Sequence, residues 1–392
     1  MSIKDWIFYG YILLTFVALL MLLGNLLVNF IFFRRPVNSP QGELNGNCPK
    51  ISVCIPARNE SLRIGNLLRS LSLQDYPDFE VIVLNDRSED DTAFILQSWA
   101  KDLPQLKVIA GEKLPEGWVG KCWACHQLSS QATGEYLLFT DADTVFHPLC
   151  LSTALKHAQD TDAALMSLWP MQVAGTWSEK LIIPFVYLLL LVFLPHALVN
   201  RVRNAGLGAA NGQFIFYRRK DYFELGGHET VKNHLVEDVA LARACLRAGR
   251  RLVNADGTDL VSCRMYHRFL DLWEGFTKNL RAAFEKSVGA FLFFGFLQLA
   301  VFVMPFLLLL IMMTRHGWDF IGTPIGTLLV LQIALIYLIR LIFSLRYRQS
   351  VVWALAHPFG QVLALVIAMN SWIQTSFLGG VKWKGRTYRP LG

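Results

Sequence analysis

The sequence predicts an α/β domain set between membrane-spanning helices. Three observations predict it. Short β-branched runs alternate with helical stretches between 51 and 168, long uncharged apolar segments lie near both ends, and one apolar run, Tyr136-Leu137-Leu138-Phe139-Thr140, ends in the acidic triplet Asp141-Ala142-Asp143. Alternating strands and helices argue for a largely parallel sheet covered on both faces.

Composition sets the frame. The chain has 392 residues, 53% of them hydrophobic, with a mean hydropathy of +0.36. That is too apolar for an ordinary soluble protein, and the middle is too charged for a bundle of spanning helices. Residues 7–33 are uncharged and long enough to cross a bilayer. A secretory signal would have a shorter apolar core and a small-residue cleavage site, so 1–35 reads as an uncleaved anchor. Arg34-Arg35 follow it directly, which places the next segment in the cytoplasm of a plasma membrane or other bacterial-type inner membrane. The net charge of +7 suits a protein resting on anionic lipid. Zinc-finger spacing, nucleic-acid signatures and internal repeats are lacking, so no nucleic-acid partner is expected. Seven scattered cysteines suit a reducing compartment, and the lone pair Cys122 and Cys125 reads as two small apolar residues on one helix face.

The elements follow in order. Residues 51–56 form a buried strand stopped by Pro56. Residues 60–73 carry Leu62, Leu67, Leu68 and Leu71 near helical spacing. Strands are expected at 79–84, 106–109 and 136–140, and a helix at 90–100 with Asp90 and Asp91 at its N-terminus. Further strands are expected at 251–253 and 260–263. Ligands of such sheets bind at the carboxyl ends of strands. Residues 56–60, 85–88 and 141–143 therefore surround one crevice. Two carboxylates one residue apart on a strand tip suit a divalent cation that keeps open positions for phosphate oxygens.

These motifs resemble the family 2 glycosyltransferases of the GT-A fold. The matching residues are Pro56-Ala57-Arg58-Asn59-Glu60, Asn85-Asp86-Arg87-Ser88-Glu89-Asp90, Gly120-Lys121, Asp141-Ala142-Asp143, Asn211-Gly212 with Arg218-Arg219, Gly226-Gly227, and Val236-Glu237-Asp238. They occur in the family's order between about 50 and 286. The segment 114–124 and the tail 383–388 are most similar to membrane-bound lipid glycosyltransferases of the hopanoid-associated and carotenoid branches, with ceramide glucosyltransferases further off. The resemblance implies a GT-A nucleotide-diphospho-sugar transferase domain, a Rossmann-like mixed sheet, over 48–270.

It also implies a chemistry. A sugar would move, with inversion, from a nucleotide diphosphate donor, UDP-linked by the resemblance, to the hydroxyl of a membrane lipid. Mg²⁺ or Mn²⁺ at Asp143 would act as Lewis acid on the leaving diphosphate, with Asp141 nearer the ribose. Asp86 would meet the uracil edge, Pro56, Arg58 and Glu60 would line the nucleoside pocket, and Lys121 would face the diphosphate. Asp238, rather than Glu237, takes the position of the general base at a helix start. Asn211 and Gly212 fall on the acceptor side, with Trp273. The run from Arg264 to Arg268 departs from the Gln-x-x-Arg-Trp of processive polymerases; Arg264 and Arg268 remain candidate phosphate clamps and His267 a candidate metal ligand.

The remaining segments concern the membrane. Residues 181–199 are apolar but carry Pro184, Pro195 and His196. Because they lie between the triplet and Asp238, they are expected to be interfacial or buried, not to cross. Leu272, Phe276, Leu280, Ala283 and Phe284 form one stripe, so 271–288 reads as an amphipathic interfacial helix, with Lys278, Arg281 and Lys286 on other faces. Residues 289–378 hold three apolar blocks, the last broken by His357-Pro358, and 379–392 form a basic tail with Lys382, Lys384, Arg386 and Arg389. Either the last block re-enters or the tail violates the positive-inside rule. Two other readings of the whole chain stay open: a processive polysaccharide synthase, and a transporter or receptor with a soluble insert, for which Arg340, near a span end where it can snorkel, is the main ionisable candidate.

Overall fold

The computed structural model describes residues 3–40, 48–202, 204–284, 287–383 and 386–388. Lys286, Lys384 and Arg389, expected as basic surface residues, lie outside them, as do the side chains of Lys382 and Arg386. The chain forms two compact units, one of 32–173 with 196–265, the other of 1–31, 174–195 and 266–392.

In chain order the elements that matter are α1 (Ile3–Phe32), β1 (Ile51–Ala57), α2 (Ile64–Leu71), β2 (Phe79–Asn85), α3 (Thr92–Asp102), β3 (Leu106–Ala110), α4 (Gly120–Gln131), β4 (Tyr136–Phe139), β5 (Thr144–Phe146), α5 (Cys150–Asp160), β6 (Leu165–Trp169), β7 (Met171–Gln172), α6 (Trp177–Leu188), β8 (Ile215–Arg218), α7 (Arg219–Glu224), α8 (Glu237–Arg247), β9 (Leu252–Asp256), β10 (Val261–Cys263), α9 (Phe269–Ala282), α10 (Val288–Phe302), α11 (Met304–His316), α12 (Pro324–Arg346), α13 (Val351–Ala354) and α14 (His357–Ser376).

The first unit is built on a seven-stranded sheet in the order β3-β2-β1-β4-β8-β6-β9. All neighbours are parallel except around β8, which runs antiparallel to β4 and β6. The sheet is therefore mixed. β-Branched and aliphatic residues dominate its strands because both faces are covered. Val53 and Ile55 of β1, Val83 of β2 and Leu138 of β4 share one buried cluster with Leu67 and Leu68 of α2. A three-stranded sheet, β5-β10-β7, adjoins it. The expected strands form, and the helices expected at 60–73 and 90–100 form as α2 and α3. Sequence reading did not resolve β6 and β8 as strands, and β8 is the strand that reverses direction.

Register places the site. Ala57 pairs with Asn85, and Cys54 with Phe139, so the loops after β1, β2 and β4 emerge at one end. Phe139 also pairs with Ile215 of antiparallel β8, which brings 211–214 beside 140–143. Thr140 Oγ1 donates to the Gln213 carbonyl at 2.7 Å and locks the two segments together.

The anchor's charged end is structural. Arg35 Nε pairs with Asp256 Oδ2 at 2.9 Å and its Nη1 with Asp259 Oδ2 at 3.0 Å. Arg35 therefore fixes the start of the first unit to β9.

Within the helical unit, residues 7–33 become most of α1. Two helices are long and apolar enough to cross a membrane, Trp6–Phe32 and Pro324–Arg346, and the pair α10 and α11 makes a third such stretch bent by 44°. The π-helical turn Leu189–Phe193 that follows α6 runs into Pro195, whose missing N–H leaves carbonyls open there. Two asparagines of α1 close them: Asn25 Nδ2 donates to the Val192 carbonyl at 2.8 Å, and Asn29 Nδ2 to those of Leu191 and Leu194 at 2.8 and 2.6 Å. Leu190, Leu191 and Val192 of this stretch are buried. The stripe of α9 is also used internally. Leu272 and Phe276 are buried, the Ser371 hydroxyl of α14 donates to the Thr277 carbonyl, and the Arg281 N–H donates to Ser371 Oγ at 3.1 Å. Arg340 is 4% exposed and does not snorkel.

Gly226 and Gly227 follow α7 with φ of +77° and +53°, a region that disfavours side chains. A Cβ on Gly227 would also lie 2.5 Å from the Tyr222 ring, whose hydroxyl is 2.8 Å from His228 Nδ1. Gly227→Ala is expected to destabilise the protein by about 1–3 kcal/mol, read as a lower melting temperature of the purified protein.

Candidate active site

Two loops at the carboxyl ends of β1 and β2 are bound to each other by short polar side chains. Asn59 N–H donates to Ser88 Oγ at 3.0 Å, Glu89 N–H to Asn59 Oδ1 at 2.8 Å, and Glu60 N–H to Thr92 Oγ1 at 2.8 Å. Ser61 N–H donates to Asp90 Oδ2 at 3.0 Å. Against the cost of burial, hydrogen bonds from Thr92 and Ser61 pull the Asp90 carboxyl down to about 2. Asp90 thus supports the start of α3, which leaves capping there independent of Asp86. Asn59 and Arg87 hold φ of +54° and +55°. Such backbone is uncommon outside glycine and concentrates at ligand-binding sites. Asp86 sits between them, 9% exposed, with its Oδ2 3.9 Å from Arg58 Nη1. Glu60 Oε2 pairs with Arg63 Nη1 at 3.1 Å.

The turn after β4 is built by threonines. Thr144 Oγ1 donates to the Asp141 carbonyl at 2.9 Å, and Thr140 and Thr144 hydroxyls lie 2.9 Å apart. Lys121, in the first turn of α4, reaches across: its Nζ is 2.6 Å from Asp141 Oδ1 and 2.7 Å from Glu237 Oε1. Burial works against the lysine's charge, but Asp141 and Glu237 hold its pKa well above the usual value. Beside Glu237, Asp238 Oδ2 accepts from Gly212 N–H and Oδ1 from Val239 N–H, each at 2.8 Å. A Cβ on Gly212 would lie 2.9 Å from Lys121 Nζ and 3.2 Å from Asp238 Oδ2, so the cluster closes only around a glycine. Burial and the Glu237 charge push Asp238 up to about 6, against the opposing effects of Lys121 and the two N–H donors.

Asp143 faces a different environment. Burial, then Asp141 and Glu60, push its carboxyl up to about 6, while Arg63 and the Cys263 thiol act the other way. Its Oδ1 is buried with no hydrogen-bond partner among the described residues. An acceptor oxygen kept out of water without a donor is what a cation ligand needs, and oxygen donors suit Mg²⁺ or Mn²⁺. Among the described residues no three His, Cys, Asp or Glu side chains gather to hold a metal by themselves. A cation at Asp143 would therefore draw further oxygens from its substrate.

Lys121, Asp141, Asp143, Asn211, Gly212 and Asp238 thus belong to one open sheet end, with Pro56, Arg58, Glu60 and Asp86 at the neighbouring strand tips. Arg264 follows β10 in the same unit. His267, Arg268 and Trp273 belong to the helical unit. Sequence reading passed over Arg63 and Cys263, which act on Asp143, because neither is in a recognisable motif. Cys122 and Cys125 are buried free thiols with pKa values pushed well above the usual range by burial, and Cys122 Sγ contacts the Val231 carbonyl at 3.4 Å. They pack, as expected.

A mixed sheet with acidic residues at the tips of β4 and α8 defines a nucleotide-sugar transferase fold of the GT-A class. Residues 52–225 match the family model "Glycosyl transferase family 2". The chain is a glycosyltransferase carrying a family 2 domain. Over 365 residues it is 28% identical to the 4,4'-diaponeurosporenoate glycosyltransferase of Staphylococcus aureus strain MRSA252, covering 91% of this chain and 93% of the relative. Over 384 residues it is 28% identical to the enzyme of that name from strain bovine RF122 / ET3-1, covering 96% and 97%. Among solved structures, the mannosyltransferase PcManGT from Pyrobaculum calidifontis, in complex with GDP-Man and Mn2+, matches with a TM-score of 0.54 at 18% identity over 91% of this chain and 97% of that chain.

If Asp238 is the group that must be ionised, activity is lost as pH falls through about 6. Glu237→Gln removes the like charge that raises it, so the acid limb of kcat/KM is expected to move to lower pH. An unmoved limb assigns it to another group. The linkage sign is the reverse for stability: a raised carboxyl contributes stability below its unfolded pKa of about 4 and loses it as pH rises through about 6. Asp238→Asn should therefore melt no lower than wild type at pH 7.

Proposed function

We propose that the protein is an inverting, metal-dependent glycosyltransferase that moves a sugar from a nucleotide diphosphate donor, UDP-linked by the family resemblance of Asp86, to a polar oxygen of a membrane lipid. The observation that carries this reading is the cluster in which Lys121 joins Asp141 of the triplet to Glu237 beside Asp238. It puts a candidate diphosphate-binding group and a candidate base in one charged pocket.

A metal bound at Asp143 would supply Lewis acidity to the leaving diphosphate. The protein's own residues do the rest. Asp86 and the stitched loops orient the nucleoside. Lys121 presents a cation to the diphosphate. Asp238, fixed by the Gly212 and Val239 N–H groups, takes the acceptor proton as the new C–O bond forms and the bond to the diphosphate breaks. The α1 and α12 helices fit a membrane-associated enzyme, and Arg34-Arg35 favour a cytoplasmic catalytic unit.

The acceptor is a long apolar lipid. A hydroxyl acceptor needs the base. The relatives' name is that of a carboxylate, whose oxygen is already ionised, and such an acceptor would leave Asp238 with little to do. The two cases separate in one assay. Asp238→Asn is expected to lose roughly 10²- to 10⁴-fold in turnover on a hydroxylated carotenoid while keeping nucleotide affinity. Turnover within tenfold of wild type on every lipid removes the base assignment.

Asp143→Ala should abolish the dependence of nucleotide diphosphate affinity on Mn²⁺, measured by calorimetry, with folding and membrane insertion intact. Asp86→Ala should weaken that affinity with or without the metal. Wild-type metal dependence in Asp143→Ala would refute the metal site. Equal losses in Asp86→Ala and Asp238→Asn would refute the division between nucleoside pocket and base.

A further inference from the structure

The helical unit contains a buried cation that the proposed glycosyl transfer does not use. Arg340 lies in α12, six residues before its last residue, or about 9 Å along the helix. It is 4% exposed, and its Nε has no hydrogen-bond partner among the described residues. No counterion is at hand in sequence. From 287 to 392 the single acidic residue is Asp319, which precedes α12 and so lies more than 20 Å along the chain's helical path from Arg340, by about 1.5 Å per residue. A guanidinium does not lose its proton to escape burial. An unpaired one inside a membrane-length helix is costly and marks a site.

Its surroundings share one chemical bias. His357, at the start of α14, lies close enough to Arg340 for the two to interact electrostatically, and its ring is 5.7 Å from that of Phe302 on α10. One turn before Phe302, Gln298 accepts from Gln361 Nε2, which leaves its own Nε2 without a partner. His357 Nε2 and Ser344 Oγ, one turn after Arg340, are also buried without partners. Gln298 is 1% exposed and Ser344 1%. Gln298 Nε2 is an unused donor, and Ser344 Oγ and His357 Nε2 can each donate as well. What would complete the pocket is an acceptor carrying negative charge.

We infer that Arg340, with Gln298, Ser344 and His357, binds the oxyanion of a membrane lipid, a carboxylate or a phosphate, between α10, α12 and α14. The depth supports a lipid as the source. The guanidinium sits about one and a half turns inside a span that ends in Arg346 and Arg348, the level at which lipid head groups meet the hydrocarbon. This site is independent of the proposed transfer reaction, and its test does not read activity.

The full chain is purified into phosphatidylcholine nanodiscs and its melting temperature is followed as phosphatidylglycerol, oleate or inorganic phosphate is added. At least one anionic lipid is expected to raise the wild-type midpoint by about 2 °C or more. Which of the two acts identifies phosphate or carboxylate as the head group. Arg340→Gln should lose most of the increment, and Arg340→Lys should keep part of it. An equal increment in wild type and Arg340→Gln would reduce the effect to bulk membrane charge and overturn the site. So would no increment from either anionic lipid, or an equal one from inorganic phosphate. Where Arg340→Gln does not fold, the wild-type arms and Arg340→Lys decide the matter.

Discussion

One ammonium group organises the reactive end of the sheet. Lys121 stands between Asp141 and Glu237, with Asp238 alongside. Three carboxylates brought together without it would repel, and protonation would be the only relief. With it, Asp141 and Glu237 share a cation, and Asp238, which has only N–H donors in contact, is left as the carboxylate with a raised pKa. The ion network thus divides labour between neighbouring residues. Glu237 is the lysine's partner, and Asp238 keeps a free affinity for protons near neutral pH.

That arrangement depends on the backbone coming very close. Gly212 leaves room for Lys121 and Asp238 because it has no Cβ, and it is delivered by the reversal of β8. If β8 ran parallel to β4, the segment 211–214 would lie at the far end of the sheet. The antiparallel strand is therefore the fold feature that gives the crevice at the strand tips a second, acidic wall. The side formed by the loops after β1 and β2 is different in character. Its loops are held by hydroxyl and amide groups at 2.8–3.0 Å, with strained φ at Asn59 and Arg87. Rigid loops facing a charged wall suit the proposed reaction, in which the leaving group must be fixed while a proton moves.

Much of this was legible in the sequence. Parallel strands with hydrophobic runs, Pro56 at a strand end, and acidic residues at strand tips have local signatures. So do the spans at 7–33 and around α12, because twenty uncharged residues have few alternatives. β6 and β8 were not legible: both are short, and their direction is fixed by pairing over tens of residues, which no local pattern encodes. The same holds for contacts made by unremarkable residues. Arg63 and Cys263 act on Asp143 from α2 and β10 without belonging to any motif. The stripe on α9 was readable, but its partner was not. Periodicity says that a face is buried, and only the packing of α14 says against what.

Among the buried polar groups without a partner, two are charged and bear on ligands. Among the described residues Asp143 Oδ1 is kept out of water with no donor, and Arg340 Nε is kept in an apolar helix with no acceptor. Their costs differ. Asp143 can take up a proton near pH 6 and so limit its own penalty. Arg340 has no such exit, and its neighbours Gln298, Ser344 and His357 add unused donors instead of relief. Burying aliphatic residues in its place would stabilise the helices at no electrostatic cost. The physical account that closes both gaps is a ligand of opposite sign, a cation for the aspartate and a lipid oxyanion for the arginine, each bound where the protein has left one coordination unmade.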